Sequence, residues 1–518
     1  MVTSGSEPAV PRGLRFTRTE VLALLAVLAL GLVHLPYPFD WDQSLFTLGG
    51  QRLAAGGVLY RDFWDLKQPG IYWFYTIAGR LFGFTEPGIH LGELVWMMAF
   101  AGTLLATLRR RWGPGPAATL APLFTVGAYY AAAGAQHLTQ VEGLVGLPLY
   151  LTLWFATDGR DEPPRAWRAL LSGLCGAVVL IFKLAFLPLV GIFWLLALWE
   201  AVRRAGVRRA LLSLVLPVGL GLALPLTATL AIFVHQGLLG TLVWTYFTYP
   251  AYLLSQIRGV DVNRLFDGLQ WFLLRFAPLL GLATAGVGLG RPPGDALGRG
   301  LRLWFPVGFL VILAQRWSWW PYHYLLLLTP LGVLGAAGAG ALWSRLDRPG
   351  AETPRARRWA AAGLGALFAG LIGLAAMKTT LLARKRFALA PADRVAYQER
   401  VSELYRGFSL DAARLVEPGR RAGALFVVDN PLVYLLAGRP LAPAFRGPLF
   451  VEDLRAGEWA ELTARLERAP PAYILVEHHH LALLAGGTPR VASFADFLAA
   501  GYRVAFTTER GAWYERAR

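Results

Sequence analysis

Long apolar stretches separated by short arginine-rich clusters set the pattern of this chain. Apolar runs of roughly 17 to 25 residues can cross a bilayer as helices. Such runs, some shorter, fall at Thr19–Leu35, Gly88–Leu108, Pro116–Ala133, Val141–Ala156, Ala169–Ala185, Phe186–Trp199, Ala210–Val234, Leu265–Leu289, Leu303–Ala314, Tyr324–Trp343 and Trp359–Leu382. They predict about eleven spans. The pair flanking Lys183 reads either as one long helix or as two short spans, and the charge pattern below favours two. From about Ala388 charges become frequent and the apolar runs shorten. Ala424–Asp429, Ala472–Glu477 and Tyr502–Thr507 read as buried strands, with helices over Trp459–Glu467 and Phe494–Ala500. The chain therefore divides into a membrane part, residues 1–387, and a small α/β domain, residues 388–518.

Composition fits the membrane class. Of 518 residues, 55% are hydrophobic and 13% aromatic, too apolar for an ordinary soluble protein. The formal net charge of +17 raises nucleic acid as a partner, but the cations lie in interspan loops and no soluble basic face is visible, so no nucleic-acid partner is expected. Arg109–Arg111, Arg160, Arg165, Arg168, Arg203, Arg204, Arg208, Arg209, Arg291, Arg299, Arg302, Arg345, Arg348, Arg355, Arg357 and Arg358 fall in alternate loops, against Arg258 and Arg316 in the others. That bias puts the N-terminus in the cytoplasm and the C-terminal domain outside. It places the chain in the inner, cytoplasmic membrane as a multi-pass protein. The first span follows Arg12, Arg15 and Arg18 like a signal peptide, yet no small-residue cleavage site follows, so it reads as an uncleaved span. The single cysteine, Cys175, allows no disulfide framework within one chain.

The loop 36–87 carries the densest chemistry. Phe39-Asp40-Trp41-Asp42-Gln43 is followed by Leu59-Tyr60-Arg61-Asp62-Phe63-Trp64-Asp65-Leu66-Lys67-Gln68-Pro69-Gly70. Carboxylates and cations among aromatics, at headgroup depth, suggest chemistry on a phosphorylated lipid. Ser44–Ala55 and Ile71–Phe84 read as helices, the second amphipathic and interfacial. Ionisable residues near membrane depth mark functional sites, and His137, Glu142, Lys183 and His323 fall near the same ends of their spans. Together they suggest one outward-facing cavity.

Each residue also has a plainer reading. Asp42 could be a helix N-cap, and Lys67 and Lys183 could snorkel. Glu142 could be a loop acid, His323 a belt residue, and Asp62 and Asp65 simple partners of Arg61. His478-His479-His480 reads as a solvated turn rather than a metal site.

The run Asp42-Gln43, helix, Gly56-Gly57, Tyr60-Arg61-Asp62, Lys67 resembles the first external loop of the GT-C glycosyltransferases. The bacterial branch of protein O-mannosyltransferases and aminoarabinose lipid A transferases is nearest. Thr139-Gln140-Val141-Glu142 resembles that family's second external acidic position, and Tyr322-His323-Tyr324 its His-Tyr before a late span. Gln43 stands where the family has a second acid, and Gln68 separates Lys67 from Pro69, which puts a paired-acid metal site in doubt. The resemblance implies a GT-C membrane domain with an extracytoplasmic α/β domain, and a polyprenyl-phosphate sugar as donor to a lipid, glycan or protein acceptor. A divalent metal is left open.

For that chemistry a positioned carboxylate serves as general base; Asp42 is the first choice, with Glu142 assisting. Fixed cations stabilise a departing lipid phosphate: Lys67 first, then Arg316, His323 and Lys183, with Tyr322 and Tyr324 as hydrogen-bond donors. Asp40, Arg61, Asp62, Asp65 and His137 are supporting candidates. A single base predicts inversion at the anomeric carbon. A lipid-linked sugar flippase should show two related halves, which are not evident; an oligosaccharide ligase or polymerase is a closer alternative.

Overall fold

The computed structural model describes residues 16–157, 165–256, 261–288, 295–316, 319–346, 402–428, 430–442, 454–485 and 489–517, with single positions between 362 and 398. Most of the segment Trp359–Leu382 lies outside the described residues. So do the division at 387/388, Asp429 and the arginines at 160, 258, 291, 348, 355, 357 and 358.

Every earlier apolar segment falls on helix. The order is α1 (Arg18–His34), α2 (Trp41–Ala54), α3 (Pro69–Phe82), α4 (Glu86–Trp112), α5 (Pro116–Pro122), α6 (Ala128–Ala132), α7 (Val141–Leu144), α8 (Gly146–Thr157), α9 (Ala166–Phe182), α10 (Leu187–Ala205), α11 (Val207–Ala210), α12 (Leu216–His235), α13 (Leu239–Val243), α14 (Tyr249–Gln256), α15 (Val262–Gly288), α16 (Ala296–Ala314) and α17 (Leu328–Leu346). Among the described residues, 6 helical stretches are long and apolar enough to cross a membrane: Glu86–Trp112, Leu184–Ala205, Val207–His235, Val262–Gly286, Ala296–Ala314 and Pro321–Ser344. Val141–Thr157 and Ala166–Phe182 are shorter apolar helices.

Local chemistry explains several joints. A π-helical turn, Leu123–Gly127, joins α5 to α6, and a tight helical run, Pro321–Leu327, leads into α17. The Lys183 region does divide: its backbone turns extended (φ −160°, ψ 109°) between α9 and α10. Helices α9 and α12 cross closely at glycines. A Cβ on Gly173 would stand 2.2 Å from the Val218 carbonyl oxygen, and one on Gly221 2.1 Å from that of Leu170, the small-residue contact that lets membrane helices approach. Leu216, Leu220, Leu224 and Leu230 of α12 stay exposed, as expected of a face against acyl chains.

At the end of the bundle away from loop 36–87, acids pair with arginines, most of them from another helix. Arg109 pairs with Glu20 at 2.9 Å and Arg111 with Asp295 at 2.7 Å, and Glu200 on α10 receives both Arg204 and Arg299. These pairs fasten α4 to α1, α4 to α16 and α10 to α16.

The C-terminal part is an α/β unit. Four strands, β1 (Leu425–Val428), β2 (Tyr473–Glu477), β3 (Tyr502–Thr507) and β4 (Gly511–Arg516), lie in the order β1-β2-β4-β3. β1 and β2 are parallel; β4 runs antiparallel to both neighbours. Alternate residues serve opposite faces. Phe426, Val428, Ile474 and Val476 meet Trp459, Leu462 and Phe494. Leu425, Val427, Tyr473, Leu475 and Trp513 instead join a core that runs on into the membrane part. The short helix Leu432–Ala437 packs against α2, which ties this unit to the helix bearing Asp42. Strand β4 and the helix Glu403–Leu415 were not foreseen from sequence. The histidine run corrects an expectation: it is no turn but the start of the helix His478–Ala485.

Candidate active site

Helix α2 starts where its first residues satisfy the orphan backbone donors. Asp40, not Asp42, is its N-cap: the Asp40 carboxylate accepts from the Trp41 N–H, and the Gln43 side chain accepts the Asp40 N–H at 2.9 Å. Burial holds the Asp40 carboxyl above its ordinary range, the Trp41 N–H opposing and the Asp42 charge adding to the rise. Because the neighbour carries the capping role, Asp42 is left to face inward. Its Oδ2 receives the Tyr322 hydroxyl at 2.9 Å and lies 3.7 Å from Lys67 Nζ. Three separate elements thus converge: α2, the turn before α3, and the Pro321–Leu327 run. The Lys67 and Asp42 side chains are 27% and 16% exposed, so a ligand in solution can reach the pair.

Lys67 is placed by the turn that precedes α3. The Tyr60 hydroxyl donates to the Lys67 carbonyl at 2.8 Å and the Lys67 N–H donates to Asp65 Oδ2 at 3.3 Å. Asp65 also takes the Tyr72 hydroxyl, while its Oδ1 is buried with no hydrogen-bond partner among the described residues. Burial raises the Asp65 carboxyl above its ordinary range, against the pull of Lys67 and Tyr72. Asp65 does not pair with Arg61; Asp62 does, at 3.2 Å on the surface. Burial works against the charged form of Asp62, but the Arg61 hydrogen bond and the Val58 N–H outweigh it and lower its pKa.

For Lys67, burial works to lower the pKa, but the carboxylates of Asp42, Asp65 and Glu142 outweigh it and hold the ammonium above its ordinary value of 10.5. Its contribution to stability is then complete below that ordinary value and is lost as pH rises through the higher folded one. The cation persists through neutral and mildly alkaline solution. Binding of a phosphate ligand at this site should therefore be flat between about pH 7 and 9, which equilibrium titration of a polyprenyl phosphate would check.

Glu142 opens α7 and is buried. Lys183 Nζ donates to its Oε1 at 2.6 Å, and His323 Nε2 lies 3.6 Å from the same oxygen. The extended backbone at Lys183 carries that side chain across from the break between α9 and α10. Gly70 lets α3 close over the break: a Cβ there would stand 2.9 Å from the Ile181 carbonyl oxygen. The two clusters adjoin. Glu142 acts electrostatically on Lys67, and Tyr322 is under the influence of both carboxylates.

Other expected residues lie elsewhere. Arg316 is exposed beyond the end of α16. Tyr324 spends its hydroxyl on the Leu265 carbonyl of α15, 2.9 Å away. His137 stacks on Trp271 at 4.3 Å.

A buried network was not read from the sequence. Thr139, with φ +54°, gives its N–H to Glu93 Oε1 at 2.8 Å and its hydroxyl to Glu93 Oε2 at 3.0 Å. Tyr129 donates to the same carboxylate. His90 places Nδ1 3.0 Å from the Thr139 hydroxyl and Nε2 3.2 Å from the Tyr37 carbonyl. The Tyr75 hydroxyl donates to the Thr139 carbonyl at 3.2 Å. Gln43 adds a second stitch, its amide donating to the Ala135 and Leu138 carbonyls at 2.6 and 2.7 Å. The signal was available: His90 and Glu93 sit three apart near the start of an apolar span, where ionisable groups are costly.

Among the described residues, no group of three or more His, Cys, Asp or Glu side chains could hold an ion, and Gln43 is committed to backbone carbonyls.

No family model and no curated protein matches the chain. Solved structures do. ArnT from Cupriavidus metallidurans bound to undecaprenyl phosphate aligns with TM-score 0.57 and 16% identity, covering 95% of this chain and 97% of that one. Its apo state aligns with TM-score 0.54 and 16% identity, over 96% of each chain. The Archaeoglobus fulgidus oligosaccharyltransferase aligns with TM-score 0.44 and 13% identity, over 96% of this chain and 74% of that one. At these identities the likeness is one of fold: this chain shares the fold of ArnT over 95% of its length.

Proposed function

We propose that this chain is a membrane glycosyltransferase that moves a sugar from a polyprenyl-phosphate carrier to an acceptor hydroxyl. The observation that carries the reading is the convergence of Asp42, Lys67 and Tyr322 at one accessible point, on a fold shared with a protein solved with undecaprenyl phosphate. Asp42 takes the proton of the acceptor hydroxyl as its oxygen attacks the anomeric carbon. The bond from that carbon to the phosphate oxygen breaks, and its electron pair leaves on the lipid phosphate. Lys67 holds the growing negative charge, more strongly than it would in water because the site is largely enclosed. Tyr322 fixes the Asp42 carboxylate in place. Glu142, held by Lys183 and His323, orients the acceptor from the adjoining cluster.

Inversion at the anomeric carbon follows from a single base. A retaining route needs a second carboxylate as nucleophile, about 5 Å from the first. Asp40 is occupied as a cap and Asp65 is tied to Tyr72 and the Lys67 backbone, so neither suits that role. The arginine bias supports an inner-membrane protein with this site and the C-terminal domain on the outer side.

The test is incubation of purified protein with a panel of polyprenyl-phosphate sugars and hydroxyl acceptors, scoring free lipid phosphate and the anomeric configuration of the product. Transfer with inversion from one donor is expected. Silence across the panel, or a retained configuration, would sink the respective part of the reading.

A further inference from the structure

We infer that Glu93 is a positioning residue that holds the three site-bearing segments in register, chiefly through Thr139. The inference rests on the proposed transferase reading for its effect on turnover, but not for its geometry.

Thr139 lies three residues before Glu142, and its backbone takes a left-handed conformation rare for a branched residue (φ +54°). Strain of that kind persists only where the surroundings over-determine it. The Glu93 carboxylate does so by accepting both the Thr139 N–H and its hydroxyl. The same threonine is bonded to Tyr75 on α3, the helix that follows Lys67. Through His90 it connects to the Tyr37 carbonyl, at the entry to the helix that bears Asp42. The segments that carry Asp42, Lys67 and Glu142 therefore meet at one bolt, and Glu93, 1% exposed, is its anchor. Glu93 contacts none of those three side chains, so its influence passes through its own partners, chiefly Thr139, with Tyr129 and His90 beside it.

The hydrogens in this network distinguish holding from chemistry. His90 Nε2 faces a carbonyl oxygen and must carry a hydrogen. The Thr139 hydroxyl lies between His90 Nδ1 and Glu93 Oε2, 3.0 Å from each. A glutamine at 93 closes the same contacts without charge: its carbonyl oxygen accepts from Tyr129 and the Thr139 N–H, and its amide donates to the Thr139 hydroxyl. An alanine closes none of them.

The experiment compares wild type, Glu93→Ala and Glu93→Gln in detergent. It measures amide hydrogen exchange over residues 134–142, binding of undecaprenyl phosphate and, with the donor found above, turnover. Glu93→Ala should exchange at least about ten-fold faster in that segment, as local opening does. Its turnover should fall about a hundred-fold, the cost of displacing a reacting group by about 1 Å, with the lipid-phosphate dissociation constant within about three-fold of wild type. Glu93→Gln should restore exchange and turnover to within about five-fold of wild type. Unchanged exchange in Glu93→Ala would overturn the inference, as would loss of lipid-phosphate binding in proportion to turnover. A Glu93→Gln protein as impaired as the alanine variant would also overturn it, by giving the carboxylate charge a direct role. If the wild type transfers no sugar, the functional reading fails by itself and the exchange measurements alone decide this inference.

Discussion

Asp42→Asn should lower sugar transfer by about a thousand-fold, within the range attributed to a general base, without unfolding the protein. An asparagine at 42 keeps an oxygen to accept the Tyr322 hydroxyl, which bonds Asp42 at 2.9 Å. The fold should therefore survive, and the melting temperature should stay near that of wild type. What disappears is the group that takes a proton. Donor binding should move the other way. Asp42 lies 3.7 Å from Lys67 Nζ and competes with a lipid phosphate for that cation, so removing its charge should tighten polyprenyl-phosphate binding a few-fold. Falling turnover with rising affinity is a pattern that simple misfolding does not produce. Full activity in the asparagine variant would remove Asp42 from the chemistry.

The second large effect is on stability. Lys183→Ala should cost about 3 kcal/mol, at the lower end of what removing one partner of a buried ion pair costs. Glu142 is buried, and its pairing with Lys183 Nζ at 2.6 Å is the closest charge contact it makes. His323 Nε2 lies farther off, at 3.6 Å. Taking away the ammonium leaves a carboxylate out of water without its main partner. Combining Lys183→Ala with Glu142→Gln should recover more than half of the loss, because the neutral amide no longer needs a cation. Thermal unfolding of the four proteins in detergent reads this cycle. If the two single losses simply add, the two residues are not coupled and the adjoining cluster is not a unit.

These two predictions separate the halves of the site. On the Asp42 side the cation, Lys67, is 27% exposed and stands 3.7 Å from its carboxylate; on the Glu142 side the carboxylate is 2% exposed and its cation lies at 2.6 Å. Lys67 is thus the cation that an incoming phosphate can engage without first breaking a buried pair. Lys183, which the sequence offered as another phosphate ligand, is committed to Glu142.

The sequence by itself determined whatever repeats over a few residues. The apolar runs marked helices from Arg18 to Leu346, since a helix must bury or expose its faces at a fixed period. The short apolar runs near Ala424, Ala472 and Tyr502 marked β1, β2 and β3 by their length and β-branched or aromatic content. The break at Lys183 followed from charge counting along loops. Asp42 and Lys67 stood out in the sequence because acids and cations at headgroup depth are costly, and the structure puts them 3.7 Å apart.

Partnership was decided only by the tertiary structure. Asp42 and Tyr322 are 280 positions apart, and no local pattern relates them. The capping role went to Asp40 rather than Asp42 because the chain enters α2 one turn-position earlier than its apolar spacing suggests. Tyr324, two residues beyond Tyr322, turned to the Leu265 carbonyl, and Arg316 stayed in solvent, although both looked as suitable in the sequence. Glu93 was readable as an ionisable residue in an apolar span, but its partner was not: a threonine with an unusual backbone angle, a property that residue type does not announce. Periodicity records which way a side chain faces along its own element; whom it meets depends on how distant elements pack.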